Sequence, residues 1–167
     1  MAAHPRISVE EFREALAHFA SGVTIVTAAT PDGPHGVTVN AFASLSLDPP
    51  LVLVCIERSR YSHAVLEAAG AFAINVLAAG QEALSRFFSS TGRPEGPFAF
   101  HGIPHRPGRL GAPLLDGCLA YLECRVTARY PGGDHTIFVA EVVAADVVPG
   151  RRPLLYYNRG YHALPEA

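Results

Sequence analysis

The chain has 167 residues, of which 49% are hydrophobic and 17% are charged, and its formal net charge is -2. This length fits one domain with a sizeable core, and we expect a single domain over residues 1–167. The 13 Lys and Arg residues are scattered, so no basic stripe indicates a nucleic-acid or membrane partner. No apolar stretch reaches the roughly 18 residues of a membrane span, and we predict a cytoplasmic protein. The high apolar fraction favours a homodimer that hides part of its surface.

The first predicted elements are a helix and a β-hairpin. A capping box at Ser8 and Glu11 begins the helix, which we expect to end near Gly22, and its apolar stripe should cover a sheet. Two strand-like runs, 23–29 and 37–42, then flank a Pro-Asp-Gly turn. The pattern predicts that these runs pair with each other.

A polar extended segment comes next. It runs from His35 to Pro50, HGVTVNAFASLSLDPP, and leads into the apolar strand 51–57. Small polar groups fixed to a rigid strand suit a planar heteroaromatic ligand, and the alternative is a solvated edge strand followed by a turn. The candidate ligand-binding side chains are Thr38, Asn40, Ser44 and Ser46.

The following segment has the pattern of a phosphate site. The sequence Ser-Arg-Tyr-Ser at 59–62 begins a predicted helix that closes at Gly70, so free N–H groups, hydroxyls and a guanidinium would converge there. The alternative is that Ser59 or Ser62 only caps the helix. In the next strand, 72–77, Asn75 is a polar residue among apolar ones, and a ligand amide edge is one partner that would satisfy it.

The second half of the chain is rich in strands. We predict a short helix at 81–88, a Pro- and Gly-rich loop at 89–113 that is a candidate lid, and long strands at 118–130 and 136–148 around a Pro-Gly-Gly-Asp turn. A last short strand is predicted at 154–157. Because strands outnumber helices without βαβ alternation, the fold class is mainly β with peripheral helices, and the architecture is a closed β-barrel.

Several site classes are not indicated. The chain has no GxGxxG after a strand, no GxxxxGK[ST], no HExxH, no CxxC and no GxSxG. Its cysteines, Cys55, Cys118 and Cys124, match no metal spacing, and we predict that they are reduced core residues. We predict no metal site.

Five blocks in the same order resemble the flavin reductase domain family: FASGVTIVTA, HGVTVNAFASLSLDPPLVLVCIE, SRYSHAVL, AFAINVL and GDHTIFVAEV. The resemblance spans residues 10–162 and implies an FMN-binding split β-barrel. It also implies a homodimeric NAD(P)H:flavin oxidoreductase that transfers hydride from NADH or NADPH to FMN or FAD. Such enzymes are the reductase components of two-component monooxygenases, and they supply reduced flavin to a separate oxygenase component.

The resemblance further implies site residues. The flavin ring would lie against or near one group: Thr38, Val39, Asn40, Ala41, Ser44 and Ser46. The ribityl phosphate would be held by a second group: Ile56, Ser59, Arg60 and Ser62. The pocket would be completed by Asn75, Ser85 and Arg86. His135 falls where the family has a histidine at the nicotinamide side, and Tyr157 is expected to reach the flavin of either subunit.

Two other functions fit the same residues. An oxidase of a related barrel would retain FMN and oxidise a small phosphate-bearing substrate, which requires a further Arg or Lys cluster that the sequence does not show. A non-catalytic flavin-binding protein would need no nicotinamide site. The choices between FMN and FAD, between NADH and NADPH, and between tightly bound and dissociating flavin stay open.

Overall fold

The computed structural model describes residues 7–94 and 96–165. Its helices are α1 (Val9–Ala17), α2 (Tyr61–Ala69) and α3 (Glu82–Ser89). Its strands are β1 (Ser21–Gly22), β2 (Thr24–Thr30), β3 (Gly33–Val39), β4 (Phe42–Leu47), β5 (Pro50–Glu57), β6 (Ala71–Val76), β7 (His105–Pro107), β8 (Pro113–Leu115), β9 (Ala120–Gly132), β10 (His135–Val147), β11 (Leu154–Tyr157) and β12 (Gly160–Ala163). In the described part of the chain, none of the helices is long and apolar enough to cross a lipid bilayer.

Seven antiparallel strands form the main sheet, in the order β3-β2-β6-β9-β10-β5-β4. Its two edge strands, β3 and β4, are joined only by Asn40 and Ala41, and the Ala41 carbonyl accepts the N–H of Cys55 on β5 at 3.0 Å. The sheet therefore curls back on itself at this junction. The predicted fold class is confirmed: the chain is a split β-barrel with helices on its outside.

Both faces of the central strands are buried. Consecutive residues of β2, Ile25 and Val26, are each 0% exposed and belong to different core clusters. Side chains alternate along a strand, so one cluster lies on each face. The first contains Phe88 and Leu115, and the second contains Phe138.

Helix α1 differs from its prediction in length and in cover. The capping box is present, since Ser8 Oγ accepts the Glu11 N–H at 3.1 Å and the Glu11 carboxylate accepts the Ser8 N–H at 2.9 Å. The helix ends at Ala17 and not near Gly22, because Ser21 and Gly22 pair with β11 instead. The expectation that its apolar stripe covers a sheet is wrong within this chain: no residue of α1 is buried.

The first hairpin has a different register from the predicted one. Thr30 pairs with Gly33 around a two-residue turn, so β3 starts at Gly33 and ends at Val39. The predicted strand 37–42 is therefore wrong in its bounds, because the tight turn brings Gly33 directly into the ladder. The second hairpin is as predicted, with Gly132 paired to His135. The short strands β1, β7, β8 and β12 were not predicted, since two to four residues carry too little periodicity.

The predicted lid, 89–113, is anchored in the core at a few positions, while most of its described residues are exposed. Phe100 is 5% exposed and its ring lies 5.2 Å from that of Phe88, while Ala99 and Ala112 are also buried. Near the end of this segment, β7 pairs with β8. The lid prediction is therefore corrected at 99–100 and 112–113, where buried residues fix the segment to the core.

Candidate functional site

A cavity of about 430 Å³, which we call the polar cavity, lies between the edge of the sheet and two helix ends. It is lined by His35, residues 37–41, 55–57 and 59–62, residues 88–91, Arg93 and His135. These are parts of β3, the end of β5, the start of α2, the end of α3 and the start of β10. Because β3 is an edge strand, backbone donors and acceptors on its free side are not used by a neighbouring strand.

Most of the predicted site residues meet in this cavity. Those that line it are Thr38, Val39, Asn40, Ala41, Ile56, Ser59, Arg60, Ser62 and His135. The others are outside its lining: Ser44, Ser46, Asn75, Ser85, Arg86 and Tyr157. Ser44 and Ser46 are excluded because the break at the junction of β3 and β4 places them on the opposite edge strand.

Asn75 is satisfied by the protein itself. Its Nδ2 donates to the Ile25 carbonyl and to Thr27 Oγ1, each at 3.1 Å, and its Oδ1 accepts the Leu115 N–H at 2.8 Å. The side chain is 0% exposed. The prediction that Asn75 needs partners was therefore right, but those partners are strands and not a ligand.

Ser85, Arg86 and Tyr157 support the cavity from outside or lie away from it. The Ser85 carbonyl accepts the Thr38 hydroxyl at 2.7 Å, and the Ser85 hydroxyl lies 2.8 Å from Tyr161 OH. Arg86 pairs with Glu82 at 2.7 Å on the surface. Tyr157 is 40% exposed on β11. Ser85 thus orients Thr38, which does line the cavity.

The start of α2 forms a hydroxyl- and cation-bearing corner. Ser59 Oγ donates to Glu57 Oε1 at 2.5 Å, and Arg60 Nε donates to Glu57 Oε2 at 3.0 Å. The Ser59 hydroxyl and the Arg60 guanidinium lower the pKa of Glu57, so this carboxylate is ionised.

Neither serine caps α2. The N-cap is Arg60, which makes no side-chain cap hydrogen bond, and the capping alternative is wrong. The His63 N–H donates to the Arg60 carbonyl at 2.9 Å, whereas no side-chain cap takes the N–H groups of Tyr61 and Ser62, as an anion site requires.

His135 begins β10 and has its ring held by its neighbour. Nδ1 lies 2.7 Å from Asp134 Oδ1, and this contact lowers the pKa of the Asp134 carboxylate. An ionised carboxylate only accepts, so Nδ1 carries the proton and donates it. In the neutral ring, Nε2 is then an acceptor.

The sequence interpretation missed two important lining residues. His35 is 3% exposed and its Nε2 lies 2.8 Å from Ser62 Oγ. Burial, with a smaller contribution from Arg93, lowers the pKa of His35 to about 4. The available signal was alternation along β3, which places His35 on the face of Val37 and Val39.

Arg93 is the second missed residue. Its guanidinium donates to the Phe88 and Ser90 carbonyls at 3.0 and 2.8 Å and to the Gly36 carbonyl at 2.5 Å. It therefore ties the end of α3 to β3 and fixes the far wall of the cavity. No local sequence pattern marks such a residue in an irregular loop.

The cysteines are not activated nucleophiles. Cys118 and Cys124 are buried and free, as predicted, and burial raises the pKa of each to about 12. Cys55 is only half-buried and lines the polar cavity, and burial raises the pKa of its thiol as well. Over residues 7–94 and 96–165, His, Cys, Asp and Glu side chains form no cluster of three or more that could hold a metal.

A second concave surface, the apolar groove, adjoins the polar cavity and has a volume of about 750 Å³. It is lined by Glu10, Arg13, Leu16, Ala17, Phe19, Ser21, Asn40, Ala41, Phe42, Ala43, Leu53, Cys55, Tyr156 and Arg159. Asn40, Ala41 and Cys55 line both surfaces. The junction between the edge strands is therefore a shared wall.

The chemistry of the polar cavity fits a flavin nucleotide. A flavin carries a flat ring with donors and acceptors at its edge and an anionic phosphate at the end of a chain. The free side of β3 offers backbone donors and acceptors, and the start of α2 offers N–H groups, hydroxyls and a cation. Both kinds of group line one cavity.

Comparison with known proteins gives the same assignment. The profile of the flavin reductase like domain matches residues 16–165. The reductase component of 4-hydroxyphenylacetate 3-monooxygenase from Thermus thermophilus is 45% identical over 93% of this chain and 96% of its own. The FMN reductase (NADH) SmoA from Agrobacterium fabrum is 48% identical over 80% of this chain and 74% of its own.

A solved structure also superposes closely. The NADH:FAD oxidoreductase SgcE6 from Streptomyces globisporus C-1027, in complex with NAD and FAD fragments, has a TM-score of 0.87 at 38% identity, over 93% of this chain and 92% of that one. The fold and the cavity chemistry agree with these matches, and the family resemblance is confirmed. The chain belongs to the flavin reductase like domain family.

Proposed function

We propose that this chain is an NAD(P)H-dependent flavin reductase that reduces FMN or FAD and supplies the reduced flavin to a separate monooxygenase. The main support is that one cavity contains both the free edge of β3 and the start of α2, which has no side-chain cap. The chain also belongs to the flavin reductase like domain family. The relatives include a monooxygenase reductase component and an FMN reductase, which supports both halves of the proposal.

The flavin ring would be held by the end of β3. Thr38, Val39, Asn40 and Ala41 line the cavity there, and the Ser85 carbonyl fixes the Thr38 hydroxyl. The phosphate would be held by Ser59, Arg60 and Ser62 at the start of α2, where Ile56 supplies the adjoining apolar wall. Arg60 offsets the charge of Glu57, which would otherwise repel an anion.

A bound flavin supplies the hydride-accepting chemistry, so the protein has to bind and orient two rings and exclude water between them. His135 is the proposed residue at the nicotinamide side. Because Asp134 fixes its Nδ1–H, its Nε2 can accept a hydrogen bond from a carboxamide N–H. His135 would therefore position the nicotinamide and would not transfer a proton.

We also propose a homodimer, a single domain over residues 1–167 and a cytoplasmic location. The apolar groove supports the dimer, since Leu16 and Phe19 line it and are 53% and 77% exposed. Burying such side chains against a second copy stabilises the assembly by about 25 cal/mol per Å² of apolar surface. Free cysteines are consistent with a reducing compartment.

The test of activity is the loss of the nicotinamide absorbance band with NADH or NADPH and with FMN, FAD or riboflavin in turn. We expect consumption with at least one pair of substrates. Consumption that never exceeds the background with any pair would rule out the reductase.

The variant His135→Ala separates a reductase from a flavin carrier. Removing the Nε2 acceptor should lower kcat/KM for the nicotinamide about tenfold, because one polar contact is lost, while the flavin Kd changes less than about twofold. His101→Ala is the control, since His101 is exposed and does not line the cavity. An unchanged kcat/KM in His135→Ala would contradict the assigned role.

A further inference from the structure

His35 has no role in the mechanism above, yet it is part of the wall of the polar cavity. The residue is 3% exposed, and its ring lies edge-on to Tyr61 with centroids 5.3 Å apart and is held by Ser62 at 2.8 Å. Ser62 lies in the first turn of α2, where the phosphate is proposed to bind. A buried polar pair at this place controls the direction of one hydroxyl hydrogen.

The charge of the ring limits the possible arrangements. With its pKa at about 4, His35 is neutral near pH 7, and only one ring nitrogen carries a proton. If Nε2 accepts the Ser62 hydroxyl hydrogen, Ser62 presents only oxygen lone pairs to an anion. If Nε2–H donates to Ser62 Oγ, the hydroxyl hydrogen remains available to an anion.

We propose that His35 is a positioning residue for the phosphate end of the flavin: its Nε2–H donates to Ser62 Oγ and directs the Ser62 hydroxyl hydrogen toward the phosphate. This inference rests on the proposed function. It assigns to His35 an effect on the phosphate alone and none on the ring, which binds at the other end of β3.

The fold contains a matched control for this pair. His63, the next residue of α2, has its Nε2 2.8 Å from Thr136 Oγ1 and its ring edge-on to Phe138 at 5.6 Å. Neither His63 nor Thr136 lines the polar cavity. Removing the His63–Thr136 hydrogen bond therefore tests the loss of a histidine–hydroxyl pair on the same helix at a place that does not line the polar cavity.

The experiment measures Kd for FMN and for riboflavin, which lacks the phosphate, by fluorescence titration of the whole chain. We expect the wild type to bind FMN more tightly. His35→Leu and Ser62→Ala should each shrink this preference about tenfold and change riboflavin affinity less than twofold, since a charge-assisted hydrogen bond is lost. The double variant should lose no more than the larger single effect, because the two residues act as a unit.

Two further variants distinguish positioning from structural support. His35→Gln should regain most of the preference, since its amide N–H can donate to Ser62 Oγ. His63→Leu should keep the wild-type preference. Equal losses of FMN and riboflavin affinity in His35→Leu would show a structural role and overturn the inference, and so would an unchanged preference.

Failure of the proposed function looks different. A wild type that binds neither flavin, or binds both equally, contradicts the phosphate site itself before any variant is made. If His35→Leu does not fold by circular dichroism, His35→Gln and Ser62→Ala decide the question. The inference then requires the glutamine variant to keep the preference and the alanine variant to lose it, and the opposite result overturns it.

Discussion

The polar cavity and the apolar groove share a wall but are built in opposite ways. In the polar cavity, side chains are fixed by partners from the same chain, as Arg93 is by three carbonyls and Ser62 by His35. In the apolar groove, large side chains such as Phe19 are mostly exposed, and α1 has no buried residue. The first surface is preorganised for a small ligand, whereas the second lacks its cover.

The difference explains how one small chain can carry both features. A ligand site needs geometry fixed before binding, because ordering it at that moment costs affinity. An assembly surface needs exposed apolar area, which a folded monomer seldom presents in one patch. Asn40, Ala41 and Cys55 belong to both, so we expect the second copy of the chain to adjoin the ligand.

The largest expected effect comes from placing a charge in the apolar groove. Leu16→Glu or Phe19→Glu should weaken dimerisation at least about 100-fold, since a two-fold interface would bury the unpaired charge twice. Analytical ultracentrifugation over a concentration series measures this.

The control for the groove is Val147→Glu. Val147 is an apolar residue that is 69% exposed and does not line the groove, and its charged variant should stay dimeric. If the groove variants and the control associate alike, the groove is not the interface and the contrast between the two surfaces fails.

An intermediate effect is expected from overfilling the wall of the polar cavity. A Cβ at Gly36 would lie 2.7 Å from Phe88 Cε1, so Gly36→Ala should cost about 2 kcal/mol of unfolding free energy and displace a cavity-lining ring. Urea denaturation and FMN titration measure the two consequences.

Gly22→Ala is the matched strand variant for this experiment. Nothing lies within 4 Å of its added Cβ, and we expect a change within about 0.5 kcal/mol. Equal free energies of unfolding for the two variants would show that the cavity wall accommodates the added methyl group without cost, and would contradict the prediction.

The smallest expected effect is the dependence of stability on pH through His35. Its pKa is about 4 in the folded chain against 6.5 as reference, so between these pH values the unfolded chain binds more protons. The contribution of His35 to the free energy of unfolding is therefore fully present above about pH 6.5. It falls as the pH is lowered, with a slope that approaches about 1.4 kcal/mol per pH unit.

Urea unfolding of the wild type and of His35→Leu, at pH 7 and at pH 5, isolates this contribution. The neutral ring is next to Arg93 and Ser62, and the guanidinium opposes its protonation. The leucine variant should lose less stability on acidification than the wild type. Identical pH dependence in the two proteins would mean that His35 is not kept neutral by burial.

Local signals identified residues of β3 and of the start of α2 that the structure brings together in the polar cavity. The residues at Asn40 and at 59–62 could be found because a strand edge and a helix start have recognisable sequence patterns. Asn75 shows the limit of this reasoning. The sequence indicates that a buried amide needs partners, but it cannot decide between a ligand and the backbone of Leu115.

The remaining errors come from tertiary structure. Ser44 and Ser46 were placed with Asn40 because the sequence does not show that the chain crosses to the other edge of the sheet after Ala41. Arg93 was missed because its three acceptors come from two separate elements. The apolar stripe of α1 was recognised correctly, but periodicity cannot say whether its cover belongs to the same chain.

Helix α1 is held to the following parts of the chain by contacts that depend on ionic strength. Arg159 lies 2.9 Å from both Glu10 and Glu14, all three side chains are more than half exposed, and the Asn158 N–H donates to the Ala17 carbonyl at 2.7 Å. Added salt screens such surface ion pairs, while excluded salts such as sulfate strengthen apolar burial. Sulfate should therefore weaken the ion pairs that hold α1 to Arg159 and strengthen the proposed dimer contact at the apolar groove.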